Sequence, residues 1–224
     1  MKLIVATLVI GLAIIGFTFA GHSGELISDK EVRKSYFEAY KYEKLQNYEG
    51  ATKALLIVLQ NYPKNYTVNM RLGWLYYLNG EYANAEKHYK TAIEVAPSSV
   101  EAKLNYTLLL LAQGRYEEVE TTARQVLQVD YGNYYANLRL AVALRMQMKY
   151  DQAEEVVNGM LYLYPTNVYF LVELGLLKVA RCEFDKAKRL FYDVLLFDPG
   201  NVAAKQQLEL AERQMGLSEF RPSR

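Results

Sequence analysis

From residue 32 onward, apolar and small side chains recur at helical spacing, in two stripes per segment, and the segments themselves repeat. The second segment is the clearest. Leu72, Gly73 and Tyr76 share one helical face, Gly80 interrupts it, and Tyr82, Ala85, Tyr89 and Ala92 form the next face before Pro97. That pattern predicts a helix, a tight turn and a second helix. Pro63, Pro97, Pro165 and Pro199 set the period, being 34, 68 and 34 residues apart. The absent member falls at Tyr131, where QVDYGNY aligns with EVAPSSV, YLYPTNV and LFDPGNV. A frame starting at Val32 gives five uninterrupted segments: 32–65, 66–99, 100–133, 134–167 and 168–201. Beyond them Ala204, Leu208, Ala211 and Met215 make a single apolar stripe, predicting one more helix over 202–215 that Gly216 ends. A stack of identical units has an exposed apolar end, and a helix with one polar face closes it. Residues 21–31 read as a linker and 217–224 as a tail.

The spacing has a packing logic. A small residue at position 8 of the period lets the first helix approach the second, and alanines at positions 20 and 27 do the same from the other side. Aromatic residues at 11, 17 and 24 fill the space between crossing helices. Proline at 32 ends the second helix, because it has no amide hydrogen and restricts the residue before it. Gly80 and Gly114 can take the left-handed conformation that closes a first helix; Gln46, Met148 and Cys182 stand at the matching turns. The first segment supplies Ala39, Tyr42, Tyr48, Ala51, Leu55 and Pro63. The fourth supplies Leu140, Ala141, Leu144, Tyr150, Ala153 and Pro165, and the fifth Leu174, Gly175, Phe184, Ala187, Phe191 and Pro199. Residues 32 to about 201 thus resemble the tetratricopeptide repeat. The resemblance implies an all-α, right-handed solenoid of five 34-residue repeats with a C-terminal capping helix. The third repeat departs most, with Thr107, Val119, Val126 and Tyr131 at positions 8, 20, 27 and 32, and looser packing is expected there.

The first residues have a different character. Met1 and Lys2 precede Leu3–Ala20, eighteen residues without a charge, ending in Thr18-Phe19-Ala20. A positive start, an apolar stretch and a small-x-small site read as an export signal cleaved after Ala20. The alternative is a retained anchor, since eighteen helical residues reach about 27 Å. Both place the repeats outside the cytoplasm, in the periplasm or secreted. The only cysteine is Cys182, so lipid attachment near the segment's end is excluded, as is an internal disulfide framework.

Composition narrows the function further. Lys and Arg number 26 against 25 Asp and Glu, with the signs interspersed, which gives no electrostatic case for nucleic acid. Two histidines, His22 and His88, form no metal-ligand or carboxylate–histidine pattern; no metal or cofactor is expected, and His88 reads as an ordinary surface residue. Cys182 reads as a plain turn residue. Asn65-Tyr66-Thr67 and Asn105-Tyr106-Thr107 are sequons by pattern only. Nothing supports an enzyme. Twenty tyrosines suit a binding surface.

The resemblance also places that surface: the first helix of each repeat lines a concave groove through positions 2, 5, 9 and 12. In repeat one these are Arg33, Tyr36, Tyr40 and Glu43; in repeat two Thr67, Met70, Trp74 and Tyr77. Repeat three gives Glu101, Leu104, Leu108 and Leu111; repeat four Tyr135, Leu138, Val142 and Arg145; repeat five Tyr169, Val172, Leu176 and Val179. Fifteen of these twenty are apolar or aromatic. Position 5 and part of position 9 could pack against the neighbouring helix, but Trp74, Tyr77, Tyr135 and Tyr169 favour a groove for an apolar helix or peptide of a protein partner. Arg33, Glu101, Arg139 and Arg145 are expected to set orientation at its rim. The clamp by which some family members hold a chaperone's carboxylate tail would need cations and asparagines where this chain has Met70, Trp74, Asn105, Tyr135 and Arg139. Only Asn105 and Arg139 match. The expectation is an exported scaffold, with envelope or secretion assembly as its setting. A holdase-type chaperone and a self-associating structural protein are the rivals.

Overall fold

The computed structural model describes residues 26–219. The export-signal or anchor segment, residues 21–25 of the linker and the last five residues lie outside them. Eleven α-helices and no strand occur among the described residues. They are α1 (Asp29–Lys44), α2 (Tyr48–Asn61), α3 (Tyr66–Leu78), α4 (Tyr82–Val95), α5 (Val100–Ala112) and α6 (Tyr116–Leu127), then α7 (Tyr134–Met146), α8 (Tyr150–Leu163), α9 (Val168–Ala180), α10 (Phe184–Phe197) and α11 (Val202–Glu219). Each 34-residue period holds one pair.

Side-chain caps set the starts of the odd helices. Asn65, Ser99, Asn133, Asn167 and Asn201 occupy the last position of each period, and each side chain accepts the backbone N–H three residues on. The odd helices after α1 therefore all start on the same cap. The even helices start differently. Asn47 caps α2, whereas Glu81, Arg115, Lys149 and Glu183 make no such bond. At the turn before each even helix one residue is left-handed: Gly80 and Gly114 as expected, but also Gln46, Met148 and Cys182, with φ of 56°, 60° and 59°. The turn geometry is thus imposed by the repeat, and three repeats adopt it without glycine.

Successive helices pack against each other along the whole chain, and the odd helices also touch one another: α3 with α5, α5 with α7, α7 with α9, α9 with α11. The even helices have no comparable mutual contacts. The stack therefore curves with the odd helices on its inner side. Four apolar clusters run through it, from Ala39, Leu55 and Leu72 at one end to Phe191, Ala204 and Ala211 at the other.

Positions 8 and 24 show how helices within a pair come together. The five pairs are Ala39 with Leu55, Gly73 with Tyr89, Thr107 with Ala123, Ala141 with Val157 and Gly175 with Phe191. In every repeat but the third, a small residue on the first helix stands opposite a larger one on the second. A Cβ on Gly73 would lie 2.7 Å from the Tyr89 ring, and one on Gly175 would lie 2.6 Å from Phe191. Those rings rest on bare backbone. The third repeat sets Thr107 against Ala123, and Thr107, Val119 and Ala123 are nonetheless all fully buried.

Two boundaries also differ from expectation. α1 begins at Asp29, inside the segment read as linker, because Ser28 and Glu31 form a reciprocal capping box. α11 runs through Gly216 to Glu219 rather than stopping at the glycine. A Cβ there would meet nothing, so no close approach or positive φ calls for glycine, and the helix simply continues. Ala204 and Ala211 of α11 are fully buried against Phe191 and Val194, with Leu208 beside them.

Candidate functional site

On the inner side, α1, α3 and α5 enclose a pocket of about 500 Å³, lined by Tyr36, Thr67, Met70, Arg71, Trp74, Glu101 and Asn105. Only odd helices contribute. Trp74 is the centre of its construction. Its indole Nε1 donates to Glu43 Oε1 at 2.9 Å, and its ring stacks on Tyr77 at 5.7 Å, which in turn stacks on Tyr82 at 6.0 Å. Arg71 donates to the other oxygen of Glu43, so one carboxylate from α1 fixes two side chains of α3. The tryptophan is half-buried yet held by a hydrogen bond and a ring stack, which removes most of its rotational freedom before any ligand arrives. At the pocket's far edge Tyr66 donates to Glu101 Oε2 at 3.1 Å and shares a 2.8 Å hydrogen bond with Ser99.

Fourteen of the apolar and aromatic residues expected in the groove fall into three groups. Tyr36, Met70 and Trp74 line the pocket together. Met70 requires a correction: it is 7% exposed and belongs to the core beneath the groove, presenting little more than an edge. Tyr77, Leu111, Leu138, Val172 and Leu176 are half-buried against the core clusters, and Leu104, Leu108 and Val142 are half-buried on the same inner helices. Tyr40, Tyr135 and Tyr169 are exposed, at 48%, 57% and 64%. They stand away from the pocket.

Of the three arginines expected at the rim, Arg33 is exposed on α1, and the other two do structural work instead. Arg145 forms a two-pronged ion pair with the buried Glu173, closing at 2.8 Å and tying α7 to α9. Arg139 donates to the Leu104 carbonyl and to Thr107 Oγ1, joining α7 to α5, and lies 5.6 Å over the Tyr135 ring. Burial pulls its guanidinium below the ordinary arginine range. Arg71, which the sequence reading passed over, is the arginine that does reach the pocket. It sits at position 6, one residue beyond the stripe used to pick candidates.

His88 is likewise not a surface residue. It is 6% exposed, with Nδ1 2.9 Å from Asn69 Oδ1 and its ring stacked on Tyr76 at 5.4 Å. Both amide protons of Asn69 are already given to the Pro63 and Asn65 carbonyls. Its Oδ1 can only accept, so His88 carries its proton on Nδ1. Burial lowers the imidazole pKa to about 4, leaving it neutral.

Asn137 repeats this amide arrangement one pair of repeats later, giving its protons to the Tyr131 and Asn133 carbonyls. Val156 stands there in place of His88. The narrower side chain, with Gly132 and Gly159 nearby, opens a second cavity of about 590 Å³ between α6, α7 and α8. Its lining includes Arg124, Tyr131, Gln152, Glu155 and Met160. The sequence reading did not find it, because it results from residues that are missing bulk.

Two stretches of the chain, residues 68–99 and 110–171, match family models described as tetratricopeptide repeat. Those stretches are tetratricopeptide repeats, and the described residues as a whole form an all-α repeat solenoid. No curated protein matches it by sequence. Among solved structures it is similar to a tetratricopeptide repeat protein from Parabacteroides merdae ATCC 43184, with a TM-score of 0.76, 16% identity, and coverage of 84% of this chain and 74% of that one. It is also similar to PilW, described as a widely conserved type IV pilus biogenesis factor, with a TM-score of 0.68, 19% identity, and coverage of 87% and 96%. A third is MamA from Desulfovibrio magneticus RS-1, with a TM-score of 0.70, 15% identity, and coverage of 78% and 98%. At these identities the likeness concerns the fold. Tetratricopeptide repeats are generally a non-catalytic, protein-binding fold, and the described residues contain no cluster of His, Cys, Asp and Glu able to hold a metal.

Proposed function

We propose that the chain is a non-catalytic, exported scaffold that binds an apolar segment of a partner protein in its inner groove, in envelope or secretion assembly. The observation that carries this reading is the immobilised Trp74 in an open pocket of about 500 Å³ between α1, α3 and α5. Rigid aromatic residues give large contact area for little lost entropy, and a few of them dominate interface energetics. Glu101 and Asn105 on one wall and Arg71 on the other supply polar groups that would fix the partner's direction. The extracytoplasmic setting rests on residues 1–20, cleaved as a signal or kept as an anchor, and a structural likeness to a pilus biogenesis factor agrees with it.

The test is photo-crosslinking in the native envelope from a reactive residue placed at Tyr77. One dominant adduct is the expected result. A smear of many adducts would favour a holdase, and an adduct with the chain itself would favour self-assembly. No adduct, with full labelling of the cavity between α6 and α8 instead, would move the interface to the outer side.

A further inference from the structure

The two ends of the solenoid are finished differently. α11 closes one end with a buried apolar stripe, whereas among the described residues nothing covers the outer face of α1. That face carries five cations: Lys30, Arg33, Lys34, Lys41 and Lys44. Phe37 and Tyr40 lie between them, 59% and 48% exposed. Lys41 Nζ sits 4.6 Å over the Phe37 ring and Lys44 Nζ 4.9 Å over Tyr40. At one helical step per residue, all seven fall within an arc of roughly 120°. No carboxylate shares the arc. Glu31 is turned back onto Ser28, Glu43 is held by Arg71 and Trp74 in the groove, and Glu38 flanks the edge, 3.9 Å from Lys34. Asp29 is at the helix start, among its unpaired N–H groups. The near-neutral charge of the whole chain hides this local asymmetry.

We infer that this face of α1 lies on an anionic bilayer surface. The inference rests on the reading in which residues 3–20 are kept as an anchor, and it concerns the surface the helix meets, whichever leaflet that is. The uncharged stretch Leu3–Ala20 is long enough to cross a hydrocarbon layer, and only residues 21–27 separate it from the α1 cap. Seven extended residues reach at most about 25 Å. An anchored chain therefore holds α1 within that distance of the headgroups, with its cations in the range where acidic lipid attracts them. Exposed aromatic rings between cations suit the headgroup boundary, where one side of each ring is wet and the other apolar.

The same face argues against other occupants. A fold-back of the uncharged residues 3–20 would desolvate five cations with no counter-charge. A second copy meeting its own α1 face would set like charges against each other.

The experiment uses the full chain with Cys182→Ser and Leu45→Cys, an exposed site at the edge of the face, labelled with an environment-sensitive fluorophore. It is reconstituted into vesicles of phosphatidylcholine alone or with phosphatidylglycerol. The expected result is flotation with both vesicles, but a blue-shifted emission, quenched by nitroxide lipid, only with the acidic one. That shift should vanish at about 1 M salt, where screening lengths fall to about 3 Å, and in Lys34→Gln/Lys41→Gln/Lys44→Gln. Flotation with solvent-like emission in acidic vesicles overturns the surface contact while leaving the anchor standing. Failure to float with either vesicle overturns both. An equal shift in neutral vesicles, or one untouched by the triple substitution, overturns the electrostatic contact in favour of an apolar covering.

Discussion

If small-against-large packing at positions 8 and 24 sets the distance between paired helices, then Gly73 and Tyr89 must be energetically coupled. Gly73→Ala adds a methyl group 2.7 Å from two carbons of a ring that is 1% exposed, well inside ordinary contact. Overpacking of this kind costs about 1–3 kcal/mol, while replacing a mid-helix glycine with alanine recovers up to about 1 kcal/mol. The net expectation is a loss of roughly 1 kcal/mol. Tyr89→Leu alone leaves a void beside a bare backbone and should cost about 2–4 kcal/mol. Together the two changes recreate the Ala39–Leu55 pair that the first repeat already uses, with both residues fully buried. The double variant should therefore be more stable than the sum of the single losses predicts, by about 1–2 kcal/mol. Urea melts of the four proteins, analysed as a double-mutant cycle, measure that difference. A coupling within about 0.5 kcal/mol of zero would refute the packing argument.

Acid should weaken the fold through His88. Its folded pKa of about 4 lies below the ordinary 6.5, so the unfolded chain binds the extra proton; stability is full above about pH 6.5 and declines towards pH 4. The loss approaches about 3 kcal/mol, and His88→Leu, though less stable because Asn69 loses its donor, should flatten the slope in melts across that range. Gln46→Gly, Met148→Gly and Cys182→Gly should each gain about 0.5–1 kcal/mol by relieving a left-handed residue. Unchanged midpoints would show that these turns are not strained. Ending the chain before Val202 should uncover Phe191 and its neighbours, and light scattering should then show self-association.

The fold was legible because a 34-residue period combines many weak local signals into one. Prolines, small residues and aromatic residues recur at fixed offsets, and no single departure, not even the third repeat, obscures the frame. The position-34 caps were equally visible in the sequence as Asn65, Ser99, Asn133, Asn167 and Asn201, a signal that went unread. The site was legible only as a face. Helical spacing says which side of α3 carries Met70, Trp74 and Tyr77, but not how deep each lies. Met70 sinks because the adjacent helix α5 packs over it, a contact between repeats that spacing within one repeat does not encode. Arg139 and Arg145 looked like free rim charges because their partners, Leu104, Thr107 and Glu173, are about thirty residues away in sequence. His88 was misread for the same reason, since Asn69 that holds it lies on another helix.

The central claim is that Trp74 anchors a partner in the inner groove. The most direct measurement is the affinity of wild-type and Trp74→Ala protein for the species trapped from Tyr77, with thermal melts to establish that the variant is folded. Losing a buried aromatic anchor should cost about 2–4 kcal/mol, a weakening of roughly 30- to 1000-fold. Trp74 is also the only tryptophan, so its emission should shift to the blue as wild-type protein binds. Equal affinities for the two proteins, with no change in wild-type emission, would contradict the account.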